Sequence, residues 1–283
     1  MIRRLFRSPP AQTPVSTPEE RAGWAKPVYG KAAPRCDAVC YSAAAGETEW
    51  YPPVMAGAET FSFACASPET LQDALDVMGK LEPDDYTRYL TKFYAEGLNR
   101  FGDGWIYADI VTVLLTMSRA LKPARYLEIG VRRGRSVCTV ASQTPSVDVV
   151  LFDMWMKNYA GMENPGPDFV RSELKKVGHT GTAEFIDGNS HVTVKKYFAD
   201  HPDTYFDLIT VDGDHTDPGA AEDLADVLPH LSVGGAVVFD DVCHPAHPGL
   251  AEVWRTQVAG DPRFSAWTFA DAGYGVGFAI RKH

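Results

Sequence analysis

Apolar positions recur at helical spacing from Ser67 onward. In SPETLQDALDVMGKL, Leu71, Leu75 and Met78 fall on one side of a helix. Ser67 suits the N-cap, Pro68 suits the first helical position, and Glu69 and Asp73 lie near the start. A second helical pattern covers about residues 84–98 and a third about 106–121. After Lys122-Pro123 the rhythm changes to short apolar runs alternating with amphipathic ones. RYLEIG, DVVLFD, TAEFIDG, FDLITVDGD and GGAVVFDD read as strands. GRSVCTVASQ, PDFVRSELKKVG, HVTVKKYFAD, PGAAEDLADVLPHL and GLAEVWRTQVAG read as the helices between and after them. FSAWTFA and YGVGFAIRK close the chain as a strand pair, joined around Asp271 to Tyr274 as an antiparallel hairpin at one edge.

This alternation predicts an α/β fold, a doubly wound parallel sheet with helices on both faces. Strand–helix–strand crossovers are right-handed, which leaves few topologies. Three regions follow: an irregular, Pro/Ala/Gly-rich arm over residues 1–66, a helical lobe or lid over 67–122, and the α/β domain over 123–283. The arm would pack on the main domain or on a second subunit, consistent with a homodimer or higher oligomer. In such sheets ligands bind beyond the carboxyl ends of the strands.

Those ends carry acids. FDLITVDGDHT runs from an apolar strand into Asp212, Gly213, Asp214 and His215, and GGAVVFDDVCH runs into Asp240 and Asp241. A folded core does not require this. If the two strands are neighbours their axes lie roughly 4.8 Å apart, and Asp212, Asp240 and Asp241 converge. Three unpaired carboxylates in one crevice repel. A divalent cation removes that repulsion, and an all-oxygen set selects a hard ion: Mg²⁺ first, with Ca²⁺ or Mn²⁺ as alternatives. Asp214 or Asp217 is the expected cap of the helix that begins near Pro218. Cys243, His244 and His247 read as loop residues that line the pocket rather than as a soft-metal site.

Composition narrows the class of ligand. The formal net charge is −10 over 283 residues, so no basic footprint for nucleic acid exists. No stretch approaches the roughly 20 apolar residues of a membrane helix. The five cysteines are odd in number and scattered, which argues against a disulfide framework and for a reducing, cytoplasmic setting. Cys36 and Cys40 have no second ligand pair at zinc spacing and read as ordinary thiols. The opening MIRRLFRSPPAQTPVSTP is basic and lacks the apolar run of a secretory signal, and a disordered leader is favoured there.

The loop after the first strand reads Glu128-Ile129-Gly130-Val131-Arg132-Arg133-Gly134-Arg135-Ser136. The dinucleotide fingerprint G-x-G-x-x-G counted from Gly130 would need glycine where Arg132 and Arg135 stand, so a nicotinamide or flavin dinucleotide is disfavoured. A Walker A loop is absent. Glu128 is placed to receive a positively charged cofactor or a water beside it. Asp153, at the end of VLFD, offers two acceptor oxygens to a diol, and Asp187, Gly188 and Ser190 in FIDGNS suit an adenine edge. Taken singly, Gly130 and Gly134 could be plain turn residues, and Asp153 and Asp187 plain caps.

Together, YLEIGVRRGRS, the acid of LFDMW, the IDGNS turn and LITVDGDHT resemble the class I S-adenosylmethionine-dependent methyltransferases, over roughly Tyr126 to the C-terminus. The resemblance implies a Rossmann-like seven-stranded sheet of order 3-2-1-4-5-7-6 with strand 7 antiparallel. It implies S-adenosylmethionine contacts from Glu128, Gly130, Gly134, Ser136, Asp153, Met154, Asp187, Gly188, Ser190 and Asp212. The second acid group resembles the metal-dependent O-methyltransferases, where acids at these strand ends hold Mg²⁺ and a base lies three residues beyond the first. His215 takes that place, as in the branch that modifies sugars of natural products; the catechol branch carries Lys there and Asp-Asn where this chain has Asp240-Asp241. The implied activity is methyl transfer to a hydroxyl of a small molecule, with His215 and Asp212 catalytic and Asp212, Asp240 and Asp241 on the metal. A metal-independent methyltransferase and a non-catalytic binding module on the same fold are the competing expectations. The stretch MWMKNYAGMENPGP, with Trp155, Tyr159 and Met162, reads as a lid over the substrate or as ordinary packing; Trp105 and Tyr107 are equally two-sided.

Overall fold

A computed structural model describes residue 54, residues 56–158, residue 161 and residues 163–283. Cys36, Cys40, Tyr159, Met162 and nearly all of the expected arm lie outside the described residues. In chain order the elements are α1 (Ala58–Cys65), α2 (Pro68–Met78), α3 (Asp85–Phe101), α4 (Ile110–Leu121), β1 (Arg125–Ile129), α5 (Arg135–Gln143), β2 (Asp148–Asp153), α6 (Pro167–Lys176), β3 (Ala183–Asp187), α7 (Ser190–Asp200), β4 (Phe206–Val211), α8 (Asp217–Val227), β5 (Leu231–Asp240), α9 (Leu250–Trp254), β6 (Phe264–Phe269) and β7 (Val276–Arg281). The seven strands form one sheet in the order β3-β2-β1-β4-β5-β7-β6. Strands β1 to β5 pair in parallel, and β7 is antiparallel to both of its neighbours. The expected topology is therefore the observed one.

Strand alternation builds two cores. Tyr126, Val149, Leu151, Leu208, Ala236 and Val238 face the layer that contains α1, α2, α4 and α5. Leu127, Ile129, Val150, Phe152, Ile209, Val211, Val237 and Phe239 face α7, α8 and α9. Successive residues of a strand point to opposite faces, so a strand covered on both sides must be apolar at every position. That is why these runs show no polar alternation.

The helix signals hold in detail, with three corrections. Ser67 caps α2, its hydroxyl accepting from the Thr70 amide at 3.2 Å. The irregular arm expected through residue 66 ends earlier, because α1 begins at Ala58, whose amide donates to Ser265 Oγ at 2.9 Å. The third helix starts at Ile110 rather than near 106. Asp109 caps it, accepting from the Val111 and Thr112 amides, while Trp105 and Tyr107 run outside the helix, stack on each other and meet Phe93 edge-to-face. Their apolar character serves this aromatic cluster and not a helix face. The cap of α8 is Thr216, whose hydroxyl accepts from the Gly219 amide at 3.2 Å; Asp214 instead accepts from the Thr216 amide at 2.8 Å, and Asp217 is already the first helical residue.

Candidate active site

The loop between β1 and α5 crosses the carboxyl end of the sheet. Gly130 has φ +90°, and a Cβ there would lie 1.9 Å from the Asp212 carbonyl oxygen. The Asp212 amide donates to the Ile129 carbonyl at 2.9 Å, so β4 closes directly on this turn. Gly130 is thus required by another strand of the protein as well as by any ligand. Gly134, φ +77°, begins α5, and a Cβ there would meet Val170 of α6 at 2.7 Å. Arg132 takes a left-handed φ of 49° that side chains rarely adopt. Its amide donates to Asp153 Oδ2 at 2.7 Å, which links the loop to β2.

The sequence-predicted cofactor residues divide into those that face outward and those that support the loop. Asp153 is half-buried; its Oδ1 accepts from the Trp155 amide at 2.6 Å and from Asn164 Nδ2 at 3.1 Å. Met154 and Asp187 are exposed, and Asp187 lies beside Asp153 in the β2–β3 register. The Gly188 amide donates to the Asp153 carbonyl at 3.0 Å. Glu128 is fully buried: Tyr126 donates to one carboxyl oxygen at 2.8 Å and Ser136 donates to the other. Burial pushes the Glu128 carboxyl up to about 8, against the hydrogen bonds from Ser136 and Tyr126. Glu128 and Ser136 are therefore partners of each other beneath the loop. Ser190, at the start of α7, hydrogen-bonds Asp223 of α8. Residues not foreseen are Tyr126, whose hydroxyl oxygen also lies 2.8 Å from Thr210 Oγ1, Asn189, which caps α7, and Asn164. A tyrosine two positions before the Glu, on the same strand face, was the available signal.

The acids at the ends of β4 and β5 do meet. Val211 pairs with Phe239, so Asp212 and Asp240 leave the sheet side by side. His215 Nε2 lies 3.3 Å from Asp212 Oδ1 and 3.8 Å from Asp241 Oδ2. Asp212, His215 and Asp241 each offer one ligand atom, and these atoms lie within 4.8 Å of one another. Asp241 reaches that position through a left-handed φ of 58°, a conformation Asp tolerates better than most residues. Asp240 stands outside this group, although the sequence places it on the metal. β5 ends at Asp240 and the left-handed backbone of Asp241 turns the chain there, so it is Asp241 that comes to His215. The donor set brought together is two carboxylates and an imidazole, not three carboxylates.

Burial and mutual repulsion both act on these acids. Burial and then repulsion from Asp212 push the Asp241 carboxyl up to about 6, with His215 opposing. Burial, followed by Asp212, Asp241 and Asp109, pushes Asp240 well above the usual carboxylate range. The hydrogen bond to Asp212, and after burial's opposing effect the charges of Asp212 and Asp241, raise His215. A cation among these groups would relieve the repulsion that raises the acids, and the residues fit one. His247 packs on His215 with ring centroids 5.2 Å apart, and His244 packs on His247 and Tyr274. These histidines border the acid group.

Strand order, reversed β7, the glycine turn and acids at the carboxyl ends define a Rossmann-like protein of the class I methyltransferase type. The family model described as a methyltransferase domain matches residues 127–242. Solved structures similar to the chain include CalS11, a calicheamicin methyltransferase, at 22% identity over 75% of this chain and 91% of that one, with a TM-score of 0.45. TomG of Streptomyces achromogenes, involved in tomaymycin synthesis, is 23% identical over 72% and 92%, with a TM-score of 0.47. An O-methyltransferase of Bacillus cereus is 19% identical over 76% and 91%, with a TM-score of 0.49. No curated protein matches the chain. Among the described residues no helix is long and apolar enough to cross a membrane.

Proposed function

We propose that this protein transfers the methyl group of S-adenosylmethionine to a hydroxyl of a small molecule, and that a divalent cation held by Asp212 and Asp241 assists. A sugar moiety of a natural product or glycan is the favoured acceptor. The observation that carries the reading is the convergence of Asp212, His215 and Asp241 at the ends of β4 and β5, next to the loop of a methyltransferase domain.

Asp153, with Asp187 and Gly188 beside it, would hold the cofactor's ribose and adenine, and the Gly130–Gly134 turn would border its methionyl end. Asp153 can accept ribose hydroxyls once Asn164 yields its place on Oδ1. When bound, the cation lowers the pKa of a coordinated hydroxyl and orients it. His215 Nε2 lies 3.3 Å from Asp212 Oδ1; a cation on that carboxylate would leave this nitrogen unprotonated and free to accept a proton. His215 then takes the hydroxyl proton at Nε2; a positive charge nearby favours the neutral imidazole that this requires. Much of the rate enhancement comes from alignment of acceptor and methyl group.

The test is calorimetric titration of S-adenosylmethionine into the purified protein, first with Mg²⁺ and then with EDTA, followed by turnover with hydroxylated sugars and phenols. Cofactor binding in both conditions with turnover only with metal is the expected outcome. Turnover that survives exhaustive chelation ends the metal proposal, and no cofactor binding by folded protein ends the methyltransferase proposal. A preference for a mid-row metal over Mg²⁺ would move His215 from base to ligand, since imidazole suits those ions better.

A further inference from the structure

Arg135, the first residue of α5, makes no ion pair among the described residues. Its guanidinium carbon lies 4.8 Å from the centroid of the Tyr86 ring. Its Nε is shut off from solvent and meets no acceptor, and among the described residues the side chain forms no ion pair. The other two arginines of the same loop are held: Arg132 pairs with Asp84 at 2.7 Å, and Arg133 pairs with Glu163. Shielded donors are nearly always paired in folded proteins. Arginine stays charged at any accessible pH and presents five donors in a fixed fork, so a guanidinium whose Nε meets no acceptor among the described residues marks a place for an anionic ligand.

The surroundings say which ligand brings it. Arg135 follows β1, yet the carboxylates in its electrostatic reach are Asp109, the cap of α4, and Asp240, at the end of β5. In the sheet β4 separates β1 from β5. The side chain therefore lies on the side of Asp109 and Asp240, at the β5 end of the crevice. Asp109 is already occupied by the hydroxyls of Tyr94 and Tyr107, at 2.5 and 3.0 Å, and by two backbone amides. In a crevice lined with acids, in a protein of net charge −10, an anionic ligand needs a local cation to enter.

We propose that Arg135, backed by the Tyr86 ring, binds a carboxylate or phosphate carried by the methyl acceptor. The inference rests on the O-methyltransferase reading and makes the acceptor a hydroxylated acid. The fork matches a carboxylate or phosphate with two parallel hydrogen bonds. An acceptor held by its anion at Arg135 and by its hydroxyl beside Asp212 and His215 is fixed at two points, which is what alignment requires. The methionyl carboxylate of the cofactor is the other source of the same chemistry, and the experiment separates the two.

Calorimetry on the full chain and on the variants R135Q and R135K would use S-adenosylhomocysteine with Mg²⁺, then an ortho-dihydroxybenzoate or the uncharged ortho-dihydroxybenzene as probe. The parent protein is expected to bind the benzoate about tenfold more tightly than the neutral diol, R135Q to bind both alike, and R135K to fall between them. S-adenosylhomocysteine affinity should stay within about twofold throughout. Equal binding of the two probes by the parent, binding of neither, or a preference that survives in R135Q overturns the assignment. A loss of S-adenosylhomocysteine affinity as large as the loss for the benzoate also overturns it, and gives Arg135 to the cofactor. Failure of the parent to bind S-adenosylhomocysteine at all is a different result: it removes the methyltransferase reading beneath.

Discussion

Glu128 gives the most quantitative test of the site. The substitution Glu128→Gln keeps the shape of a fully buried side chain and removes its charge. Burial raises the folded-state value to about 8 from an ordinary 4.5. A carboxyl raised by folding is most favourable to the folded state below about pH 4.5, and that advantage is lost as pH rises through 8. The full shift corresponds to about 5 kcal/mol at about 1.4 kcal/mol per pH unit. Between about pH 6 and about pH 9 the part lost is about 3 kcal/mol. A glutamine amide can still accept from Ser136, while its NH₂ donates to the Tyr126 oxygen and the Tyr126 hydroxyl turns to Thr210. Urea unfolding of cofactor-free protein at both pH values, for parent and Glu128→Gln, measures the difference directly. The stability of the parent relative to the variant should fall by about 3 kcal/mol over that interval. A difference constant to within about 0.5 kcal/mol would refute the argument, because it would mean that Glu128 carries the same charge in the folded and unfolded states throughout.

Two further predictions concern the acid group and the turn. Asp241→Asn keeps a residue that tolerates the left-handed backbone but removes one charge facing Asp212. It should weaken Mn²⁺ or Mg²⁺ binding about 100-fold in calorimetry, roughly 2.8 kcal/mol, while leaving the ion-free protein at least as stable above about pH 6, where Asp241 would otherwise ionise. In the parent, ion affinity should fall as pH drops below about 6 and Asp241 takes up its proton; pH-independent affinity would contradict its role as a ligand. Gly130→Ala combines a positive φ with a Cβ 1.9 Å from the Asp212 carbonyl. It should lower unfolding stability by at least about 3 kcal/mol, and a loss under about 1 kcal/mol would show that the turn and β4 can part.

Local physics made much of this protein legible in its sequence. Ser67-Pro68 announces α2 because a cap and a fixed φ act within one turn, and the buried strands from RYLEI to AVVFD announce a covered parallel sheet because both faces must be apolar. The glycine turn and the acids at two strand ends were equally plain, and strand order then followed from a recognisable series of motifs. What the sequence could not contain was the direction in which each acid points. Asp240 and Asp241 are chemically identical neighbours, and only the end of the β5 ladder, with the left-handed turn at Asp241, sends one toward His215 and leaves the other near Asp109. In the same way Glu128 and Ser136 read as two cofactor contacts, but eight residues apart in the chain they meet each other under the loop. Arg132, Arg133 and Arg135 look alike in the sequence, and only the placement of Asp84 and Glu163 decides that, among the described residues, two are paired and the third is not. The sequence by itself determined which residue types stand at the carboxyl ends, since propensity and periodicity are short-range. Tertiary structure decided which of them share a partner, because burial and charge pairing depend on groups brought together from distant parts of the chain.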